Sequence, residues 1–87
     1  MSDYSEKQQE EFERLHRGVL RIRKNLETGF YLRKSFGQRS RIVMENAKYI
    51  RRYREEVPSD IKENYSEDEQ IDIGKLIEDL YEVKSKL

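Results

Sequence analysis

Residues 12–30 read FERLHRGVLRIRKNLETGF, and this stretch decides the fold. Its apolar residues recur at alternating spacings of three and four, which places them on one face of an α-helix. These residues are Phe12, Leu15, Val19, Ile22, Leu26 and Phe30. Upstream, Ser5 and Gln8 have the spacing of a capping box, and downstream Gly29 can take the left-handed conformation that ends many helices. The pattern predicts a first helix over about residues 6–28.

Two further segments have helical periodicity. Between residues 38 and 57 the apolar positions are Ile42, Val43, Ala47, Ile50, Tyr53 and Val57. Pro58 then excludes a regular continuation, because the residue before a proline is pushed out of the α region. Near the end of the chain the apolar positions are Ile73, Leu76, Leu80, Val83 and Leu87. With a second capping box at Ser66 to Glu69, we predict helices over about 38–57 and 67–87.

The segments between these helices are less regular. Residues 29–37 are expected to form a hinge, which could extend the first helix, form a short helix, or build a corner closed by Gly37. Phe30 is expected to fold back onto the last turn of the first helix. Residues 58–66 form an acidic connector with at most one helical turn near Ser59–Glu63. The expected fold is all-α, either a small three-helix bundle or an antiparallel helical hairpin with a C-terminal helix.

The composition leaves little material for a hydrophobic core. Apolar residues make up 34% of the chain, against about 45–50% in typical globular domains, and charged residues 41%, against about 25%. Residues 1–87 therefore make one small domain, and dimerisation is an expected way to complete its core. The chain has no cysteine and no run of about 18 apolar residues. We expect an intracellular protein, cytoplasmic or, in a eukaryote, nuclear, with no membrane partner.

The charges are sorted into blocks although the net charge is zero. Residues 1–16 carry two basic and five acidic side chains, residues 17–54 carry twelve and two, and residues 55–87 carry four and eleven. Nine of the twelve basic residues in the middle block are arginines, whose forked guanidinium suits carboxylates and phosphates alike. This layout predicts an acidic partner, which could be a protein surface, a nucleic acid or the chain's own acidic end.

Eight basic residues are candidates for a binding surface, because helical geometry places them opposite or beside the apolar faces. They are Arg14, Arg17, Arg21 and Lys24 on the first helix, and Arg41, Lys48, Arg51 and Arg52 on the second. Rows of charge on amphipathic helices are commonly no more than solvated surfaces. The segregation of the two signs favours a binding role, because interspersed charges would serve solubility equally well.

The residues needed for catalysis or metal binding are sparse. His16 is the one histidine, and Glu13 and His16 have the spacing used in di-iron helical bundles, but both lie off the centre of the apolar face. We interpret His16 as a residue at the boundary of the core. The run from Asp68 to Gly74 lacks the ligand pattern of a calcium loop, and the four glycines form no phosphate-binding loop. We expect no enzymatic activity, no metal and no cofactor.

Two functions fit this sequence. The first is a non-enzymatic interaction or regulatory protein that docks a protein partner with an acidic surface on an outward basic face, and that can form a homodimer. The second is a nucleic-acid-binding protein that uses the same eight residues on the phosphate backbone. The small apolar content together with the sorted charge favours the first, and the sequence carries no helix-turn-helix, zinc-finger, homeodomain or RNA-recognition signature.

Overall fold

The computed structural model describes residues 3–85, and every regular element within them is helical. Four α-helices are present in this part of the chain: α1 (Glu6–Glu27), α2 (Phe36–Glu56), α3 (Ser59–Glu63) and α4 (Ile73–Ser85). Two short 3₁₀ helices, Phe30–Arg33 and Glu67–Glu69, lie in the connections. The all-α prediction is confirmed, with α1, α2 and α4 as the long helices of a small bundle.

The ends of α1 coincide with its sequence signals. The Ser5 hydroxyl accepts a hydrogen bond from the Gln8 backbone N–H at 3.1 Å, and the Gln8 side chain accepts one from the Ser5 N–H at 2.9 Å. These bonds satisfy two backbone donors that have no partner within the helix. At the other end, Gly29 has a φ of 72°, the left-handed conformation that glycine adopts at little cost. The helix therefore stops at Glu27, close to the predicted end.

α1 and α2 form an antiparallel hairpin. The Arg52 guanidinium donates to the Glu11 carboxylate at 2.8 Å, and the Tyr49 hydroxyl donates to the Arg14 backbone carbonyl at 3.2 Å. Later residues of α1 thus meet earlier residues of α2, as antiparallel packing requires. The Tyr49 ring also lies directly against Gly18, where any larger side chain would overlap it. Gly18 therefore lets the tip of the Tyr49 side chain pack directly against α1.

The start of α2 differs from the prediction. The helix begins at Phe36 rather than near residue 38, because Ser35 and Gln38 form a capping box of their own. The Ser35 hydroxyl accepts from the Gln38 N–H at 3.4 Å, and the Gln38 side chain accepts from the Ser35 N–H at 3.2 Å. Gly37 consequently lies inside α2 and does not close a corner. The spacing that marks this box is as legible in the sequence as that of Ser5 and Gln8, and it was overlooked.

Phe30 does not fold back onto α1, so that expectation was wrong. The chain enters the 3₁₀ helix Phe30–Arg33 directly after Gly29, and this turn leaves Phe30 41% exposed while Tyr31 is buried at 6%. The Tyr31 hydroxyl accepts a hydrogen bond from the Asn25 side-chain amide at 3.2 Å. Tyr31 therefore supplies the apolar ring that we expected from Phe30, and its hydroxyl has a partner at the edge of the core.

In the structure the connector extends over residues 58–72, up to the start of α4. It contains the single helical turn that the sequence allowed, α3 at Ser59–Glu63. The predicted start of the last helix was wrong. Residues Glu67–Glu69 form only a 3₁₀ turn, and the Ser66 side chain makes no capping hydrogen bond. α4 starts at Ile73 instead, where an Asp72 carboxylate oxygen accepts from the Lys75 backbone N–H at 3.1 Å. Leu87, which we placed on the apolar face of this helix, lies outside the described residues.

Side chains from elsewhere explain why no helix starts at residue 67. The Gln70 side-chain amide donates to the backbone carbonyls of Lys62 and Tyr65, at 3.0 and 2.9 Å. Arg23 of α1 donates to the carbonyls of Asp68 and Gln70, at 2.8 and 2.9 Å. The bonds from Arg23 occupy carbonyls that a helix starting at residue 67 would need, and Gln70 itself has extended backbone angles. The connector is thus bound along the side of α1.

A single apolar core joins the three long helices. α2 packs against both α1 and α4, so it lies at the centre of the arrangement. The most deeply buried apolar side chains are Leu15, Val19, Val43, Ile50, Tyr53, Val57 and Leu80. Neither α3 nor the 3₁₀ helix Glu67–Glu69 contains a buried residue. Within residues 3–85, no helix combines the length and the apolar character needed to cross a lipid bilayer.

Candidate interaction surface

All eight predicted site residues are exposed, but they do not form one uniform basic face. Arg14 and Arg17 are three-quarters exposed and form ion pairs within α1, with Glu11 at 3.4 Å and with Glu13 at 3.1 Å. Such exposed pairs contribute little stability, but they lower the net positive charge of the surface. The first half of α1 is therefore a mixed-charge surface and not a basic one.

Arg52 has a structural role between the two hairpin helices. Its guanidinium contacts Glu56 at 2.6 Å within α2 and Glu11 at 2.8 Å across to α1. The hydrogen bond and charge of Glu56, with a smaller effect of Glu11, raise the pKa of Arg52. Because its Nε and Nη2 nitrogens already bond two carboxylates, Arg52 is a poor candidate for partner binding.

The other three predicted site residues of α2 form a surface with an apolar centre. Arg41, Met44, Lys48 and Arg51 follow one another at spacings of three, four and three, which aligns them along one side of the helix. We call these four residues the α2 row. Met44 is 62% exposed, the highest value among the large apolar side chains of residues 3–85. Arg41 and Lys48, which flank it, make no ion pair or hydrogen bond with the described residues.

Arg51 connects the α2 row to α4. Its guanidinium donates to the Tyr81 hydroxyl at 3.3 Å, and the Tyr81 side chain is itself 43% exposed. The surface therefore presents three cations, a thioether and an aromatic ring. Sequence reasoning found the cations and missed Met44 and Tyr81. The spacing of Met44 from Arg41 and Lys48 was an available signal, whereas the position of Tyr81 depends on how α4 packs on α2.

On α1, Arg21 and Lys24 also make no ion pair or hydrogen bond with residues 3–85. They lie on the outward side of α1, and Arg21 shares a shallow groove with Glu10 and Glu13. No large exposed apolar residue of α1 accompanies them. This pair has charge similar to that of the α2 row but no apolar anchor, and it therefore serves as a natural control for experiments on the row.

His16 is buried at 1%, so its placement at the boundary of the core was wrong. The connector covers it: the Tyr65 ring stacks on the imidazole at 3.5 Å with an angle of 7° between the planes. Nδ1 lies 3.1 Å from the Tyr53 hydroxyl, and Nε2 lies 3.5 Å from a Glu69 carboxylate oxygen without the alignment of a hydrogen bond. Tyr65 and Glu69 are far from His16 in sequence, so helical geometry alone could not reveal this burial.

Burial lowers the pKa of His16 below its ordinary value of 6.5, although the charges of Glu69 and Glu13 oppose the shift. Burial also raises the pKa of Tyr53 to about 12, so its hydroxyl keeps its proton and can donate to Nδ1. A neutral imidazole with its proton on Nε2, toward Glu69, fits this arrangement. The imidazole itself is shielded from solvent, whereas the Glu69 side chain beside it is half exposed.

No protein-family model, curated protein or solved structure matches this chain. Within residues 3–85 there is no group of three or more histidine or carboxylate side chains arranged to hold a metal ion. The function is therefore inferred from the chemistry of the surface.

Proposed function

We propose that this chain is a small non-enzymatic interaction protein, acting as a regulator by docking a protein partner with an acidic surface on the α2 row. The observation that carries the proposal is the environment of Met44. Its side chain is 62% exposed on a helix whose inner face is already buried, and it lies between two cations without partners. An intracellular location belongs to the same proposal and fits a chain without cysteine.

The residue types of the α2 row suit a protein partner. Methionine is flexible and polarizable, so it can fill irregular apolar gaps on a partner. Arg41 and Lys48 would attract an acidic surface and orient it, because charged rims mainly set association rate and register. Methionine, arginine and tyrosine are all suited to interface centres, where an apolar residue is surrounded by polar ones. A phosphate backbone would use the cations but would make no use of Met44.

The position of His16 supports the non-enzymatic part of the proposal. It is the one histidine of the chain, and it is 1% exposed beneath the Tyr65 ring. A general base must come within hydrogen-bond reach of the proton that it removes. His16 cannot meet a substrate from solvent unless the connector moves away.

A direct test measures binding of a fluorescent acidic peptide, with glutamate and leucine at helical spacing, by anisotropy. The double substitution Arg41→Glu with Lys48→Glu is expected to weaken binding at least about tenfold, since like charges then face the peptide. Met44→Ser is expected to weaken binding about fivefold or more through lost apolar contact. Arg21→Glu with Lys24→Glu is the matched control, with the same charge change on α1, and Phe36→Ser is the control for Met44→Ser.

If the α1 control weakens peptide binding as much as the α2-row substitutions do, net charge alone attracts the peptide. The α2 row is then not the docking site. Duplex and single-stranded oligonucleotides are titrated in parallel at several salt concentrations. Tighter binding of the oligonucleotide, with a steep salt dependence and no effect of Met44→Ser, would establish the nucleic-acid function in place of the proposed one.

A further inference from the structure

A second surface feature lies away from the α2 row, between the end of α1, the 3₁₀ helix Phe30–Arg33 and α4. It is a groove with a volume of about 410 Å³, in the range of natural binding sites. Its apolar lining includes Leu26, Tyr31, Leu76 and Val83. The groove exists because α4 packs mainly on α2 and makes little contact with α1.

The rim of this groove is acidic. Four carboxylates line it, Glu27, Asp72, Asp79 and Glu82, against the two cations Arg23 and Lys75. Both cations are already engaged: Arg23 with the carbonyls of Asp68 and Gln70, and Lys75 with Asp79 at 3.1 Å. Glu27 and Glu82 make no ion pair or hydrogen bond with the described residues. The groove therefore offers an apolar lining and unpaired negative charge, which suits a basic, apolar occupant.

The turn between α1 and α2 carries the opposite charge from the groove rim. We call residues 30–36 the corner. Three of its apolar side chains are exposed, Phe30 at 41%, Leu32 at 42% and Phe36 at 53%. Arg33 and Lys34 add two positive charges, and the chain has no acidic residue between Glu27 and Glu45. The Lys34 ammonium lies 4.8 Å from the centre of the Phe30 ring, so charge and aromatic surface are presented together.

We propose that the acid-rimmed groove binds the corner of a second copy of this chain. The occupant follows from complementarity: the groove is apolar with unpaired carboxylates, and the corner is apolar with basic side chains. The two features adjoin, since Leu32 lies both in the corner and on the groove wall. With a two-fold axis beside the corner, the corner of each copy therefore binds in the groove of the other, and the assembly closes as a dimer. This contact leaves the α2 row free and does not depend on the function proposed for it.

The area buried between the two copies sets the expected affinity of the dimer. The dimer joins two short turns of chain to two grooves, and we expect the buried area to lie at or below the lower end of the roughly 1,200–2,000 Å² typical of stable protein complexes. The dimer is therefore a reversible one that exchanges with monomer at micromolar concentrations and above. Because opposite charges at its rim orient the two copies, dissociation is expected to increase with salt.

The test is sedimentation equilibrium of the full chain from micromolar to millimolar concentration. The corner variant Arg33→Glu with Lys34→Glu, and the groove variant Glu27→Lys with Glu82→Lys, each place like charges at both contacts. Each is expected to raise the dimer dissociation constant at least about tenfold. An equal mixture of the two variants restores opposite charges at both contacts, so dimers should reappear. Phe36→Ser is expected to weaken the dimer without changing the charge.

The control is Arg41→Glu with Lys48→Glu, which makes the same charge change in the α2 row and should leave the dimer intact. Three outcomes would overturn the proposal. The unsubstituted chain stays monomeric at every concentration, neither charge variant changes the dimer dissociation constant, or the equal mixture of the two variants stays monomeric. A dimer disrupted by the α2-row control would place the contact on that surface instead. Peptide binding at the α2 row is measured separately, so either proposal can fail while the other stands.

Discussion

The helical hairpin of α1 and α2 and the connector over residues 58–72 are stabilised in opposite ways. The hairpin buries apolar side chains from both helices, and side chains next to its own helix ends cap it. The connector is held by polar bonds to its backbone carbonyls, donated by the distant Arg23 of α1 and by the connector's own Gln70. Burial stabilises in proportion to area, whereas each hydrogen bond adds only about 1 kcal/mol net. The connector is therefore the region that opens first.

The largest expected effect comes from a cavity in the hairpin. Ile50 is 0% exposed, so Ile50→Ala should lower the free energy of unfolding by about 2–5 kcal/mol. Ile61 of α3 is half-buried against the core, and Ile61→Ala should cost only about 1 kcal/mol. Urea unfolding followed by far-UV circular dichroism measures both values. Where Ile50→Ala leaves too little folded protein, Ile50→Val, at about 0.5–1.5 kcal/mol, keeps the comparison measurable.

The packing of Tyr49 on Gly18 gives a second test. Gly18→Ala places a methyl group against the tip of the Tyr49 side chain, an overlap that should cost about 1–3 kcal/mol, of which helix propensity offsets up to about 1 kcal/mol. Gly37→Ala is the matched control, because nothing lies within 4 Å of the added atom and α2 is helical there. That control should stabilise by up to about 1 kcal/mol through helix propensity. Equal effects of the two substitutions on the urea midpoint would contradict the packing of Tyr49 on Gly18.

A third test addresses the connector alone. The Gln70 amide bonds the carbonyls of Lys62 and Tyr65, so Gln70→Ala should cost about 1 kcal/mol or slightly more. In the unsubstituted chain, hydrogen exchange should be faster in residues 58–72 than in α1 and α2, since local opening draws on the weakest contacts, and Gln70→Ala should quicken it further there. Gln38→Ala, which removes a capping contact of α2, is the control and should quicken exchange at the start of that helix. Equal protection of the connector and the hairpin in the unsubstituted chain would mean that the two regions open as one unit.

The contrast between local contacts in the hairpin and long-range contacts in the connector also explains which features of the fold were predictable from the sequence. The helical spacings of α1, α2 and α4 and the caps at Ser5 and Gly29 are local patterns, and they predicted the all-α bundle. The start of α4 and the burial of His16 depend on contacts between residues more than forty positions apart, Arg23 with Asp68 and His16 with Tyr65. For the interaction surface, helical periodicity predicted that the eight basic side chains are exposed. The pairs of Arg14 and Arg17 lie within α1 at spacings legible in the sequence, whereas the contact of Arg52 with Glu11 depends on how α2 packs on α1.

The smallest effect is a pH dependence at the place where hairpin and connector meet. His16 of α1 is faced by Tyr53 from α2, by Tyr65 and Glu69 from the connector, and by the charges of Glu13 and Arg23. Burial lowers its pKa from 6.5, so the unfolded chain binds more protons than the folded chain just below that pH. The stability from neutral His16 is therefore complete above pH 6.5 and declines as the pH falls toward the pKa of the folded state. NMR titration of this single histidine gives the folded pKa directly, and urea midpoints over the same range give the stability. A folded pKa at or above 6.5 would show that Glu69 and Glu13 outweigh burial, and stability would then rise on acidification.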